Sequence, residues 1–174
     1  MRKMLIVAAL LAAAPFSASA DALSYTYVEG GWTQVKVDDN ALDDPKVDGG
    51  YLRGSVAIAE QVYVFGGWSR TSKTYHYSDG SLKVELNQPE LGIGYHMNLS
   101  DRVDFTTDIA WMRLNVEEKL SGAGIYNGTY KNHTNVGRVT LGVRGKPSAR
   151  TEAWLKGGAI DGSDIDTEFV GVLG

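Results

Sequence analysis

The chain has 174 residues, a formal net charge of −4 and no cysteine. That length suits one domain. The acidic balance, with no basic patch or tail, excludes a nucleic-acid-binding module, and the lack of cysteine excludes a small secreted fold stapled by disulfides.

Residues 1–20 read MRKMLIVAALLAAAPFSASA. Arg2 and Lys3 form a positive start, Met4 to Ala14 an apolar run, and Ala18-Ser19-Ala20 a small-x-small cleavage site. This is the pattern of a secretory signal peptide cut after Ala20. The apolar run is too short for a membrane-spanning helix, which takes about 20 residues. The domain is then 21–174, with 15 basic and 21 acidic residues. It contains no apolar run long enough for a helical span.

From Asp21 onward the chain shows period-two alternation, rich in Val, Ile, Thr, Tyr and Trp and broken by Gly, Asn, Asp and Pro. This is the pattern of strands. It predicts eight, near 24–37, 48–60, 62–73, 82–98, 101–116, 131–145, 148–160 and 166–174. In Arg102–Leu114, Val103, Phe105, Thr107, Ile109 and Trp111 share one face, and Asp104, Thr106, Asp108 and Ala110 the other. In Thr134–Arg144, Gly137, Val139, Leu141 and Val143 oppose Arg138, Thr140, Gly142 and Arg144. In Glu90–His96, Leu91, Ile93 and Tyr95 oppose Glu90, Gly92, Gly94 and His96; in Tyr51–Ala59, Leu52, Val56 and Ile58 oppose Tyr51, Arg53 and Ser55.

A soluble sandwich alternates too, with its apolar face inward. The connections favour a different fold. They read as short near Glu60-Gln61, Asn98–Asp101 and Gly145–Pro147, and long near Asp38–Asp48, Lys73–Ser81, Glu117–Tyr130 and Ile160–Asp166. Short turns at one end and long loops at the other are the signature of an outer-membrane barrel. The expected fold is therefore all-β, an up-and-down antiparallel transmembrane β-barrel of eight strands in this chain, or ten if a further hairpin follows Gly174.

One phrase occurs twice: YVEGGWT at Tyr27–Thr33 and YVFGGWS at Tyr63–Ser69. Glu29 is costly against lipid, so Val28, Gly30 and Trp32 are predicted outward, and by analogy Val64, Gly66 and Trp68. Tyr63 and Phe65 then face in. Trp32, Trp68, Tyr95 and Trp111 are the candidate interfacial aromatics. The inward charges are Arg53, Glu90, Asp104, Asp108, Arg138, Arg144, Arg150, Glu152 and Lys156. An eight-stranded barrel is filled by side chains, and buried charges must be paired, so these residues are expected to form a plugged salt-bridge network.

Chemistry beyond this is weakly signalled. His76 in Tyr75-His76-Tyr77-Ser78 has the His-x-Ser spacing of lipid A deacylases, but it falls on a predicted loop that would hold a nucleophile and base poorly. His96 is expected in the lumen and His133 at the surface, so no catalytic residue is assigned. Asp161, Asp164, Asp166 and Glu168 crowd four carboxylates into eight residues, a weak candidate for a hard cation without EF-hand spacing. No metal or cofactor is expected. Lys73, Arg113, Lys119 and Lys131 near the long-loop end are placed to meet lipopolysaccharide phosphates or solvent.

The stretches Leu23–Trp32 (LSYTYVEGGW), Val62–Ser69 (VYVFGGWS), Gln88–His96 (QPELGIGYH) and Thr167–Gly174 (TEFVGVLG) resemble the diffusible-signal-factor-dependent outer-membrane proteins of xanthomonads, and more broadly small opacity-type barrels. The resemblance spans most of the chain after the signal. It implies a Gram-negative outer-membrane barrel with roles in motility, biofilm, virulence and quorum-linked behaviour, and carries over no catalytic residues. Members of such families close on an aromatic residue, whereas this sequence ends Val172-Leu173-Gly174. The expected function is adhesion, envelope integrity or surface signalling by a monomer. Its expected partners are outer-membrane lipid, lipopolysaccharide, the barrel assembly machinery and periplasmic chaperones. The alternatives are a soluble secreted β-sandwich acting as an extracellular factor, and a lipid-modifying barrel enzyme.

Overall fold

The computed structural model describes residues 5–9, 23–38, 46–78, 80–122, 127–148, 151–163 and 165–173. They form strands and turns with no helix among them: β1 (Leu5–Ala9), β2 (Tyr27–Asp38), β3 (Lys46–Ala57), β4 (Val62–Tyr77), β5 (Gly80–Ser100), β6 (Val103–Gly122), β7 (Gly128–Ser148), β8 (Thr151–Gly162) and β9 (Ile165–Leu173). All belong to one sheet in chain order, every neighbouring pair antiparallel. The eight strands β2–β9 run up and down as the alternation predicts. β1 comes from the predicted signal and pairs with the upper part of β2. Among the described residues β2 and β9 do not pair; β1 pairs with β2 and comes near β9. The predicted cleavage site after Ala20 lies outside the described residues.

The sheet curls on itself. The Arg144 guanidinium of β7 lies 4.8 Å from the ring of Tyr25, just before β2, and 5.4 Å from that of Tyr27. Arg53 of β3 lies 5.5 Å from the Trp154 ring of β8. Side chains from opposite sides of the sheet therefore meet across a barrel-shaped interior.

Register explains which way each residue points, because directly opposed residues share a face. One outward row runs Val56, Val64, Ile93, Ile109, Val139, Ala159, Phe169 across seven strands without a polar member. The inward row beside it runs Ala57, Tyr63, Gly94, Asp108, Thr140, Gly158, Val170. Val28, Trp32, Leu52, Trp68, Leu91 and Leu141 are likewise exposed on the outside, while Asp104, Thr106, Asp108 and Thr140 are buried within.

Three expectations need correction. The segments 73–81, 117–130 and 160–166 are not long loops; in the last, β8 reaches Gly162, which pairs with Ile165 of β9. β4 continues to Tyr77 and β5 begins at Gly80, with Tyr77 opposite Gly80; β6 reaches Gly122 and β7 starts at Gly128. Alternation persists through these segments, pairing Tyr75 with Leu82 and Leu82 with Leu120. Polar composition there concealed strand. The result is a four-stranded extension of β4–β7 that rises beyond β8 and β9, whose top, at Gly162, is level with Val136. The connection 39–45 lies outside the described residues.

The repeated phrase acquires a packing reason at its second glycine. Gly31 sits opposite Tyr51 and Gly67 opposite Arg53. A methyl group on Gly31 would press on the Tyr51 ring, and one on Gly67 on the Arg53 side chain. The inward rings of the second copy use the same device against β5, where Tyr63 lies over Gly94 and Phe65 over Gly92 so closely that a Cβ on either glycine overlaps the ring. Replacing Gly94 with Ala should therefore destabilise the fold by about 1–3 kcal/mol through overpacking. Urea unfolding of the variant in the wild-type and Tyr63→Leu backgrounds checks this; the penalty should shrink once the ring is gone.

Candidate functional site

The interior is built from the charged residues that alternation turns inward. Arg53 Nε donates to Glu29 Oε1 between paired positions of β2 and β3. Arg138 Nη2 donates to Glu90 Oε1, and its Nη1 lies 3.6 Å from the Met112 sulfur. Arg144 Nε donates to Glu152 Oε2 at 3.1 Å. Lys156 Nζ donates to Asp108 Oδ2, which also accepts from Thr140 Oγ1 at 3.2 Å, while Tyr63 OH donates to Asp108 Oδ1. Glu29, Asp104 and Asp108 are each at least nine-tenths buried. Every one of these cations has a carboxylate partner, the condition for tolerating charge away from water.

Near the short-turn end, Tyr25 packs across the interior. Its ring stacks on His96 at 3.8 Å and on Tyr63 at 4.7 Å, and its hydroxyl donates to Asp104 Oδ2 at 2.8 Å. His96 Nδ1 lies 3.4 Å from the same carboxylate, without hydrogen-bond geometry. A cavity of about 340 Å³ remains in the interior, bounded by paired charges such as Arg53 and Glu90 and by apolar side chains such as Leu114, Val136 and Trp154.

Of the nine charges read as lumenal, eight face the interior; Arg150 lies outside the described residues. Six of them pair among themselves, Arg138 with Glu90, Arg144 with Glu152 and Lys156 with Asp108. Arg53 instead takes Glu29, and Asp104 takes Tyr25. Tyr25 and Trp154 were not signalled. Tyr25 precedes the first alternating run, and its partner Asp104 is 79 residues away.

The outer wall changes character with height. Trp32, Trp68, Tyr95 and Trp111 all point outward, each more than two-fifths exposed. Tyr95 lies toward the short-turn end and donates to Gln61 at 2.9 Å. The tryptophans lie at the upper edge of the apolar belt, with Trp68 Nε1 donating to Asn87 Oδ1. Above them the two faces exchange roles. The outer face now carries Arg70, Lys83, Glu85, Asn87, Arg113, Glu117, Lys119 and Lys131. The inner face carries Tyr75, Leu82, Val84, Leu86, Val116 and Leu120, together with Glu118 and with Lys73, against the expectation that Lys73 faces outward with Arg113, Lys119 and Lys131.

Glu85 is bridged by Arg70 at 2.9 Å and by Lys83. Glu117 is bridged by Lys119 at 3.0 Å and Lys131 at 3.3 Å. Hydrogen bonds from Lys83 and Arg70 hold the Glu85 carboxyl down at about 2. Its pKa is depressed in the fold, so its contribution to stability is complete above the ordinary glutamate range and lost as pH falls through about 2. Lys119 and Lys131 lower the Glu117 carboxyl likewise.

The remaining candidates do not converge. His76 is on β4, opposite Ser81 and exposed, not on a loop. His133 is exposed on β7, opposite Asn115. In the acidic stretch, Asp161 of β8 is exposed and pairs with Gly137 on the outer face, whereas Glu168 of β9 pairs with Ile160 on the inner one. Strand alternation separates these two carboxylates; Asp164 lies outside the described residues. No group of metal-ligating side chains occurs among the described residues.

No protein-family model, curated protein or solved structure matches this chain.

Proposed function

We propose that this chain is a small bacterial outer-membrane β-barrel, exported by a cleaved signal peptide. The carrying observation is the reversal of polarity. Below the tryptophans the outside is apolar and the inside charged; above them the outside is charged and the inside mostly apolar, with Lys73 and Glu118 among its side chains. A wall meeting lipid below and water above accounts for the change on the outside. On β5 the apolar outward positions run from Leu91 to Leu99, which at about 3.4 Å per residue and a tilt of ~40° gives an apolar height of about 21 Å, a little under the ~25 Å of such barrels. With ion pairs crossing its interior around the cavity, the barrel acts through the β4–β7 extension rather than by conducting.

Its work in this reading is adhesion, envelope integrity or quorum-linked surface signalling, non-enzymatic and monomeric. Outer-membrane lipid, lipopolysaccharide and the assembly machinery with its periplasmic chaperones are its partners. The sequence resemblance supports the link to biofilm and virulence. A soluble sandwich is disfavoured because it would bury Ile93, Ile109 and Val139 and expose Asp108. A lipid-modifying enzyme is disfavoured because His76, though on the outer wall, has no carboxylate partner among the described residues to orient it as a base.

The test is gel mobility of outer-membrane extracts with and without boiling. The expected result is a band whose mobility shifts on heating. Unshifted protein in the soluble fraction would overturn the reading.

A further inference from the structure

The outer face of the β4–β7 extension carries an ordered band of positive charge that begins at Arg70, one outward row above Trp68, and reaches Lys83 and Lys119 two rows higher. Glu85 and Glu117 are opposed across β5 and β6, an arrangement that like charges disfavour. Each is flanked by two cations, Arg70 and Lys83 for one, Lys119 and Lys131 for the other. The two carboxylates thus fix four cationic heads in place while cancelling only half their charge. Arg113 adds a further cation on the same face, one row above Trp111. The side chains of Arg70, Lys83, Lys119 and Lys131 are 55%, 42%, 44% and 70% exposed. Each spends one donor on a carboxylate and keeps others for an incoming anion. The four span strands about 4.8 Å apart, so the patch reaches across more than a single phosphate.

We propose that this band is a binding site for the phosphorylated headgroup of a lipid in the surrounding leaflet. The lipid's acyl chains run down the apolar wall past Trp68, Trp111 and Leu91, and its phosphates rest among Arg70, Lys83, Lys119 and Lys131. Charge complementarity and height select this occupant. A soluble anion would find the same cations, but only a lipid also covers the apolar wall that begins below Arg70 at Trp68. The site assigns specific residues to lipid contact and rests on the membrane reading above.

The variants are chosen so that folding and binding separate. Lys83→Gln with Lys131→Gln removes two charges yet leaves each glutamate one partner. Glu85→Gln with Glu117→Gln disturbs the same ladder but makes the face more positive. The mature chain is folded into phosphatidylcholine vesicles containing a diphosphorylated glucosamine lipid or its dephosphorylated counterpart, and the lipid retained on detergent extraction is weighed by native mass spectrometry. The wild type should prefer the phosphorylated lipid. The lysine pair should lower that preference by about thirty-fold, from roughly 1 kcal/mol per charge at a membrane surface. The glutamate pair should keep or raise it, whereas a purely structural ladder would lose binding in both. Equal retention of the two lipids by the wild type overturns the site, and so does displacement of the lipid by millimolar inorganic phosphate, which would mark a free-phosphate site. Failure of the wild type to insert, read by its missing heat shift, instead overturns the barrel reading and the site with it.

Discussion

Replacing Asp108 with Leu should destabilise the folded barrel by about 3–5 kcal/mol, the cost of removing one partner of a buried ion pair. Asp108 is 3% exposed and accepts from three side chains of three strands: Tyr63 on β4, Thr140 on β7 and Lys156 on β8. Leucine leaves the Lys156 ammonium without its carboxylate and two hydroxyls without an acceptor. Asp108→Asn keeps an acceptor but not the charge and should fall between wild type and Leu. Adding Lys156→Met to Asp108→Leu should recover part of the loss, because an apolar pair avoids desolvating either ion. Urea unfolding in lipid vesicles reads all four proteins. If the double variant is no better than Asp108→Leu alone, the ion pair is not what the carboxylate supports.

The central strands were legible because an apolar face and a charged face alternate cleanly through Ile93, Ile109 and Val139, and period two fixes the side of every neighbour. Parity alone therefore placed Arg53, Glu90, Asp108 and Lys156 inward. It did not supply their partners. Pairings such as Tyr25 with Asp104 depend on how tightly the sheet curls, which no local period encodes. Parity also separates what sequence proximity groups, as with Asp161 and Glu168. The upper strands were misread for a physical reason. A single-sided rule, apolar out and polar in, holds only while the outer wall is apolar. Past Trp68 and Trp111 the rule inverts, so Lys73–Ser81 resembled loop although Tyr75, Leu82 and Leu120 line up across three strands. The same inversion supports a membrane boundary, since the outer wall turns from apolar to charged past Trp68 and Trp111.

Ile109→Arg tests that boundary with the largest contrast. Ile109 is 57% exposed, and its row neighbours Ile93 and Val139 are each 48% exposed. In water, a substitution at so open a position away from any special feature changes stability by at most about 0.5 kcal/mol. In a lipid belt an arginine costs about 2–4 kcal/mol at the midplane and about 0–1 kcal/mol at the edge. At Ile109, one outward row inside Trp111, the expected cost lies between, about 1–3 kcal/mol, because its guanidinium loses hydration with no carboxylate on the outer row to meet it. Thr106→Ser is the matched control. Thr106 is fully buried on the inner face, where the lost methyl costs about 1 kcal/mol. In a soluble fold the buried change is the worse of the two; in a membrane barrel the exposed one is. The amount of heat-shifting protein recovered from outer membranes, followed by urea titration in vesicles, ranks them. Ile109→Arg should fall below Thr106→Ser on both measures. The opposite ranking would remove lipid from the outer wall and leave its apolar belt to be covered by protein.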